Sequence, residues 1–237
     1  EVRRTIEEDL GRPLGEVFAS FDDVPLSAAS IGQVHACVLH DGREAVVKVQ
    51  RPSIREGMTR DLRVLHAIAR AAQRTSWGRS ANAVGMVEDL HALTHDELDP
   101  VVERTNQQTF RENLWAFGDN AWVTAPEVYE ELCGARTICM ERVHGVPMDD
   151  FDEIRRRGVD GLLVLRRGAK AWVEAVLVHG LFHGDLHAGN IWLLEDGRGC
   201  FLDFGIMGRL EGEWQALTRD LYYTCLFDHD FTRVAAA

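Results

Sequence analysis

The stretch HGLFHGDLHAGNIWLLEDGRGCFLDFG, His179 to Gly205, concentrates side chains able to do chemistry. His179, His183 and His187 are four residues apart. On a helix that spacing would stack three imidazoles on one face, as zinc sites require. Gly180, Gly184 and Gly189 lie among them, however, and each glycine costs a helix roughly 1 kcal/mol. The spacing therefore argues against a histidine metal face.

A phosphate reading explains more of the stretch. Asp185 and Asn190 are five residues apart, and Asp203 follows directly before Phe204-Gly205. Phosphoryl transfer needs a carboxylate to orient or deprotonate the nucleophile. It also needs oxygen ligands for Mg²⁺, to neutralise charge on the transferring group. Protein kinases carry an Asp and an Asn at this spacing, then a metal-binding Asp-Phe-Gly after a hairpin. The tripeptide alone says little; the order and spacing together say much.

Such a site needs a lysine on a strand and an acid to hold it. Lys48 lies in EAVVKVQ, flanked by apolar residues on both sides. Burial there would demand a partner. ELDPVVERTN offers Glu97, Asp99 and Glu103, and helical spacing alone leaves both glutamates as candidates. No GxGxxG precedes Lys48. PLSAASIGQVH stands in its place, and its alanines would hold the backbone further from a phosphate than glycines would. Ala125-Pro126-Glu127 precedes the catalytic stretch, the reverse of its order in protein kinases, and is taken as chance.

The elements that must position these residues are legible as follows. Two β-branched runs around Asp41-Gly42 predict a hairpin closed by Pro52. Leu62, Leu65, Ile68 and Ala69 predict a helix, and a second helical stretch runs from about Val84 to Asn113. Pro100 marks a helix start near Leu98. Short strands are expected over Val128 to Leu132 and Arg136 to Glu141. A helix is expected from Leu162 to His179, with Leu163, Leu165, Ala169, Trp172, Val173 and Val176 on one face. Strands at Ile191 to Leu194 and Gly199 to Asp203 and a helix from Glu213 to Phe227 complete the pattern. This is an α+β layout in two lobes. Residues 1–141 form a strand-rich lobe with inserted helices; residues 142–237 form a helical lobe.

The 237 residues carry a net charge of −12, which disfavours nucleic acid as a partner. Five scattered cysteines without a CxxC pair suggest reduced, mostly buried thiols in a cytoplasmic protein. No apolar run approaches the ~18–20 residues of a membrane span, and no signal-peptide pattern is read in this segment. Starting at Glu1 and ending in TRVAAA, the chain reads as a segment of a longer protein.

Taken together, PLSAASIGQVH, VVKVQRP, ELDPVVERTN, HGDLHAGN and LDFGIMGRL resemble the UbiB/ADCK (aarF-domain) family of atypical kinases, in the family's order, over about Leu10 to Leu226. The resemblance implies a two-lobed protein-kinase-like fold that binds ATP and Mg²⁺. Lys48 would bind the phosphates with Glu103 as its partner, and Glu97 and Asp99 would form the ExD signature. Asp185 would be the catalytic aspartate, and Asn190 and Asp203 the metal ligands. Ala28, Ala29 and Ser30 would cover the phosphates. Val34 and Val46 would line the nucleotide site, and Met140, Glu141 and Val143 the hinge against adenine. Ala188 departs from the family's usual proline, and Val46 from its usual alanine. The family's KxGQ helix is absent from this segment. A small-molecule or lipid-like acceptor is implied, in isoprenoid-quinone or lipid metabolism, with membrane association through parts outside this segment.

Two other readings remain. Aminoglycoside/choline-type phosphotransferases share HGDxHxGN. A nucleotide-switch pseudokinase would ordinarily lose Lys48, Asp185 or Asp203, and all three are present. An ordinary protein kinase is disfavoured, because the seven residues between Gly205 and Glu213 include no Ser, Thr or Tyr.

Overall fold

The computed structural model describes the chain apart from residues 29–31, 52–53, 230 and 233–237; for residues 55, 56, 92, 93 and 95–97 the backbone alone is described. Ala29, Ser30 and the side chain of Glu97 thus lie outside the described residues. The chain forms two compact units, Glu1–Thr105 with Glu127–Arg142, and Asn106–Pro126 with Val143–Ala237. The boundaries between them fall within a helix after Thr105, after Pro126 and after Arg142.

The first unit opens with α1 (Val2–Leu10) and α2 (Leu14–Val17), then β1 (Ser20–Ala28), β2 (Gly32–Val38) and β3 (Glu44–Gln50). Helices α3 (Ile54–Ala72), α4 (Ser76–Ser80) and α5 (Ala83–Glu97) follow. Helix α6 (Pro100–Ala116) begins in this unit and ends in the second, which also holds β4 (Val123–Thr124). Strand β5 (Thr137–Glu141) completes an antiparallel sheet of order β1-β2-β3-β5. Period-two alternation organises β3. Ala45, Val47 and Val49 face a core with Ile6, Leu14, Val17, Phe18, Cys37 and Tyr129, which leaves Val46 and Lys48 on the other face. The β2–β3 turn has Gly42 at φ 89°, a conformation that favours glycine.

Two readings of this unit need correction. Val128 makes one bridge to Met140, and Glu130–Leu132 is a 3₁₀ turn rather than a strand. With Tyr129 buried in the core, the chain turns at once, and Tyr129 O takes the Leu132 N–H. The helix expected over Leu62 to Ala69 lies within α3; Leu62 and Ala69 are buried, whereas Leu65 and Ile68 are 41% and 59% exposed. The stretch from Val84 to Asn113 is two helices, separated at Leu98-Asp99 as Pro100 signals.

In the second unit, β6 (Gly145–Pro147) and α7 (Phe151–Arg156) precede α8 (Gly161–Glu174), which continues as a π turn, Ala175–His179. Then come β7 (Leu181–His183), a 3₁₀ turn at Ala188–Asn190, β8 (Ile191–Leu194), β9 (Gly199–Phe201), β10 (Met207–Arg209) and α9 (Gly212–Tyr223). One sheet has the order β4-β9-β8-β6, and β7 pairs with β10. The face of α8 is the expected one only in part: Val176 is buried and Trp172 packs against the core. Val164, Ala171 and Ala175 are buried, while Leu163 and Leu165 are exposed. This face packs on β9; a Cβ on Gly168 would stand 4.0 Å from the Phe201 ring, an ordinary contact. Phe110 and Leu114 of α6 join Phe201 and Phe204 in the same core.

All five cysteines are free; Cys37, Cys139 and Cys200 are buried, and Cys225 is exposed. Burial pushes the Cys133 thiol up to about 11. Hydrogen bonding to Cys37, followed by burial, pushes Cys139 up as well.

Candidate active site

Lys48 sits in the middle of its sheet, opposite Val34 on β2 and Ile138 on β5. Its Nζ donates to Glu103 Oε1 at 2.6 Å, with the two side chains 16% and 5% exposed. A buried ammonium is costly without such a partner. The start of α6 holds the glutamate in place. Pro100 needs no N–H acceptor at this position, Asp99 Oδ1 accepts the Val101 N–H at 3.0 Å, and the helix dipole favours a carboxylate in the first turn. Gln50 Nε2 donates to Leu98 O at 2.8 Å, which fastens the end of β3 to the same helix start. Gly32 is required nearby: a Cβ there would come within 2.7 Å of Val49 O.

Val34, Val46, Lys48 and Met140 share the sheet face opposite the α1 core, because Val46 pairs with Met140 and Lys48 with Val34. Glu141 follows on the opposite alternation, and its Oε2 accepts the Glu127 N–H at 3.1 Å. Ala28 is the exposed last residue of β1, paired with Gln33. The residues just before it, read from sequence as loop, are strand. Val143 belongs to the second unit.

The second unit brings Asp185 and Asn190 together. Asn190 Nδ2 donates to Asp185 O at 3.1 Å and lies 3.5 Å from Asp185 Oδ2. The amide nitrogen thus faces Asp185, and the carbonyl oxygen remains for another partner. Leu202 N–H donates to Asn190 O at 2.8 Å, tying the Asp185–Asn190 loop to the chain just before Asp203. Asp203 adopts φ 60°, unusual for a residue other than glycine, and Gly205 N–H approaches its Oδ1 at 3.4 Å. Such strain commonly accompanies functional positions. An amide oxygen and a carboxylate are the hard donors Mg²⁺ takes.

The three histidines do not share a helix face. Gly180, at φ 68°, ends the π turn after His179; His183 lies on β7; and His187 caps the turn at Ala188–Asn190. His183 has a role that sequence reasoning missed. Its Nδ1 accepts the Asp185 N–H at 3.2 Å, so its Nε2 carries the proton and donates to Leu202 O at 2.9 Å. One buried ring thereby links the loop of Asp185 to the segment of Asp203. Phe204 packs against His183 and Phe110, both with ring centroids at 5.3 Å. Asn106 was also missed: its Oδ1 accepts Arg209 Nη2 at 2.5 Å, joining α6 to β10. The available signal was a polar residue one helical turn beyond Glu103.

The profile of the ABC1 atypical kinase-like domain matches residues 1–237. An uncharacterized aarF domain-containing chloroplastic protein kinase of Arabidopsis thaliana is 35% identical, over 100% of this chain and 44% of its own length. A probable protein kinase UbiB of Pseudomonas putida is 38% identical, over 97% of this chain and 43% of its own. The chain therefore spans about half the length of the curated relatives it matches. Among solved structures, the Rv3197–erythromycin complex from Mycobacterium tuberculosis matches with a TM-score of 0.72 and 30% identity, over 98% of this chain and 59% of that one. The chain has a kinase-like α+β fold and belongs to the ABC1 atypical kinase-like family, alongside the aarF-domain and UbiB kinases.

Proposed function

We propose that the chain is a Mg²⁺-dependent, ATP-binding atypical kinase or ATPase, acting on a small-molecule or lipid-like acceptor in isoprenoid-quinone or lipid metabolism. The observation that carries this reading is the buried pair of Lys48 and Glu103 at 2.6 Å, a strand lysine held by a helix glutamate. Lys48 neutralises the nucleotide phosphates, and Glu103 fixes its ammonium. Val34, Val46 and Met140 give the base an apolar face; Glu141 and Val143 supply backbone groups to its edge. Ala28, with Ala29 and Ser30, covers the phosphates. Asn190, through its carbonyl oxygen, and Asp203 hold Mg²⁺, which when bound offsets charge on the phosphates. Asp185 orients the acceptor hydroxyl, or a water, and takes its proton.

A small acceptor suits the segment after Asp203. It returns at once as β10 against β7, and no residue between Gly205 and Glu213 could be phosphorylated. Among the described residues no helix is long and apolar enough to cross a membrane.

Calorimetric titration with ATP, with and without Mg²⁺, tests this reading. Binding should require Mg²⁺ for full affinity and weaken in Asp203→Asn. Affinity indifferent to both would set the kinase reading aside. Mg²⁺-dependent binding without turnover would favour a nucleotide switch.

A further inference from the structure

Asp185 is the residue on which turnover rests in the reading above, and one of its neighbours has no part in that reading. His187 Nδ1 accepts the Gly189 N–H at 3.1 Å. That bond fixes the ring on its own loop and leaves the ring proton on Nε2. Nε2 stands 3.7 Å from Asp185 Oδ2, just beyond hydrogen-bond length. Catalytic hydrogen bonds often tighten only when substrate is bound. The seat is shaped for the ring: a Cβ on Gly189 would lie 2.9 Å from His187 Cε1 and 3.0 Å from Nδ1. Asn190 Nδ2 approaches the same carboxylate oxygen at 3.5 Å. Two donors on one short loop thus converge on Oδ2 and leave Oδ1 to meet the acceptor.

We infer that His187 is a positioning residue for Asp185: its Nε2–H holds Oδ2, and Gly189 is glycine so that the ring can sit where this is possible. The role differs from that of a cation on the transferring phosphoryl, which protein kinases assign to a lysine two residues after the catalytic aspartate. The inference rests on the kinase or ATPase reading for its kinetics but not for its geometry.

Two measurements on the intact protein test it. The first is ATP turnover and MgATP affinity in the parent, His187→Ala, His187→Gln, His187→Lys and Gly189→Ala. His187→Ala should lower kcat about ten- to a hundredfold, the cost of a misplaced catalytic group, with MgATP affinity unchanged. His187→Gln should recover most of that loss, since its amide N–H can reach the same oxygen. Gly189→Ala should behave like His187→Ala. An unchanged kcat in His187→Ala, a parallel loss of MgATP affinity, or better recovery by Lys than by Gln would overturn the inference. The second measurement is the ring ¹⁵N spectrum of His187, which does not depend on turnover. It should report the Nε2–H form, and its Nε2 resonance should move in Asp185→Asn. An Nδ1–H ring, or a ring blind to Asp185→Asn, would overturn the inference even in a protein that hydrolyses no ATP. A parent without turnover whose ring behaves as expected would sink the kinase or ATPase reading and leave the positioning role standing.

Discussion

Removing one member of a buried ion pair strands the other. Glu103→Ala should therefore destabilise the protein by roughly 3–5 kcal/mol, read as a lower urea midpoint at unchanged slope. A midpoint within experimental scatter of the parent would mean that Lys48 finds another acceptor. A second residue-scale prediction concerns alkali. The folded Cys133 thiol titrates near 11, against an ordinary value of 9.0. Between those values the unfolded thiol has lost its proton and the folded one keeps it, so stability falls as pH rises from about 9 to about 11. Two units correspond to about 3 kcal/mol. Urea unfolding of the parent and Cys133→Ala across this range should show a steeper loss in the parent; parallel curves would contradict it. At this scale residue type alone singled out Lys48, Asp185, Asn190 and Asp203 as candidates, and the structure adds the contacts of Lys48 with Glu103 and of Asn190 with Asp185. Spacing could not choose between Glu97 and Glu103, because six residues are nearly two helical turns and put both close to one face. The bonds of His183 were hidden because a partner such as Leu202 O is a backbone atom, which no sequence pattern marks.

The hairpin around Asp41-Gly42 was legible because its turn chemistry is local, and so was the helix start at Pro100. The buried face of α8 was not. Leu163 and Leu165 were expected on one face with Trp172 and Val176, but they are exposed, and Val164, Ala171 and Ala175 are buried with Val176. Ala171→Leu should therefore cost about 1–3 kcal/mol by overpacking. Leu165→Ala should stay within about 0.5 kcal/mol. Thermal unfolding of both variants decides, and the reverse ranking would restore the leucine face. Helices α1 and α2 escaped sequence reading for a related reason. Their short apolar sets, Ile6 with Leu14 and Val17, gain meaning only against the sheet.

For the molecule as a whole, five motifs in order carried the fold class, and the match over residues 1–237 agrees. Helix α6 gives Glu103 to one unit and Asn106, Phe110 and Leu114 to the other, a split that hydrophobic periodicity does not register. The central claim is that Asp185 serves the chemical step and not the binding of nucleotide. Steady-state ATP hydrolysis and MgATP affinity, measured side by side in the parent and Asp185→Asn, test it most directly. Hydrolysis should vanish in the variant while MgATP affinity stays within a few-fold of the parent. Retained turnover, or affinity lost together with turnover, would contradict the account.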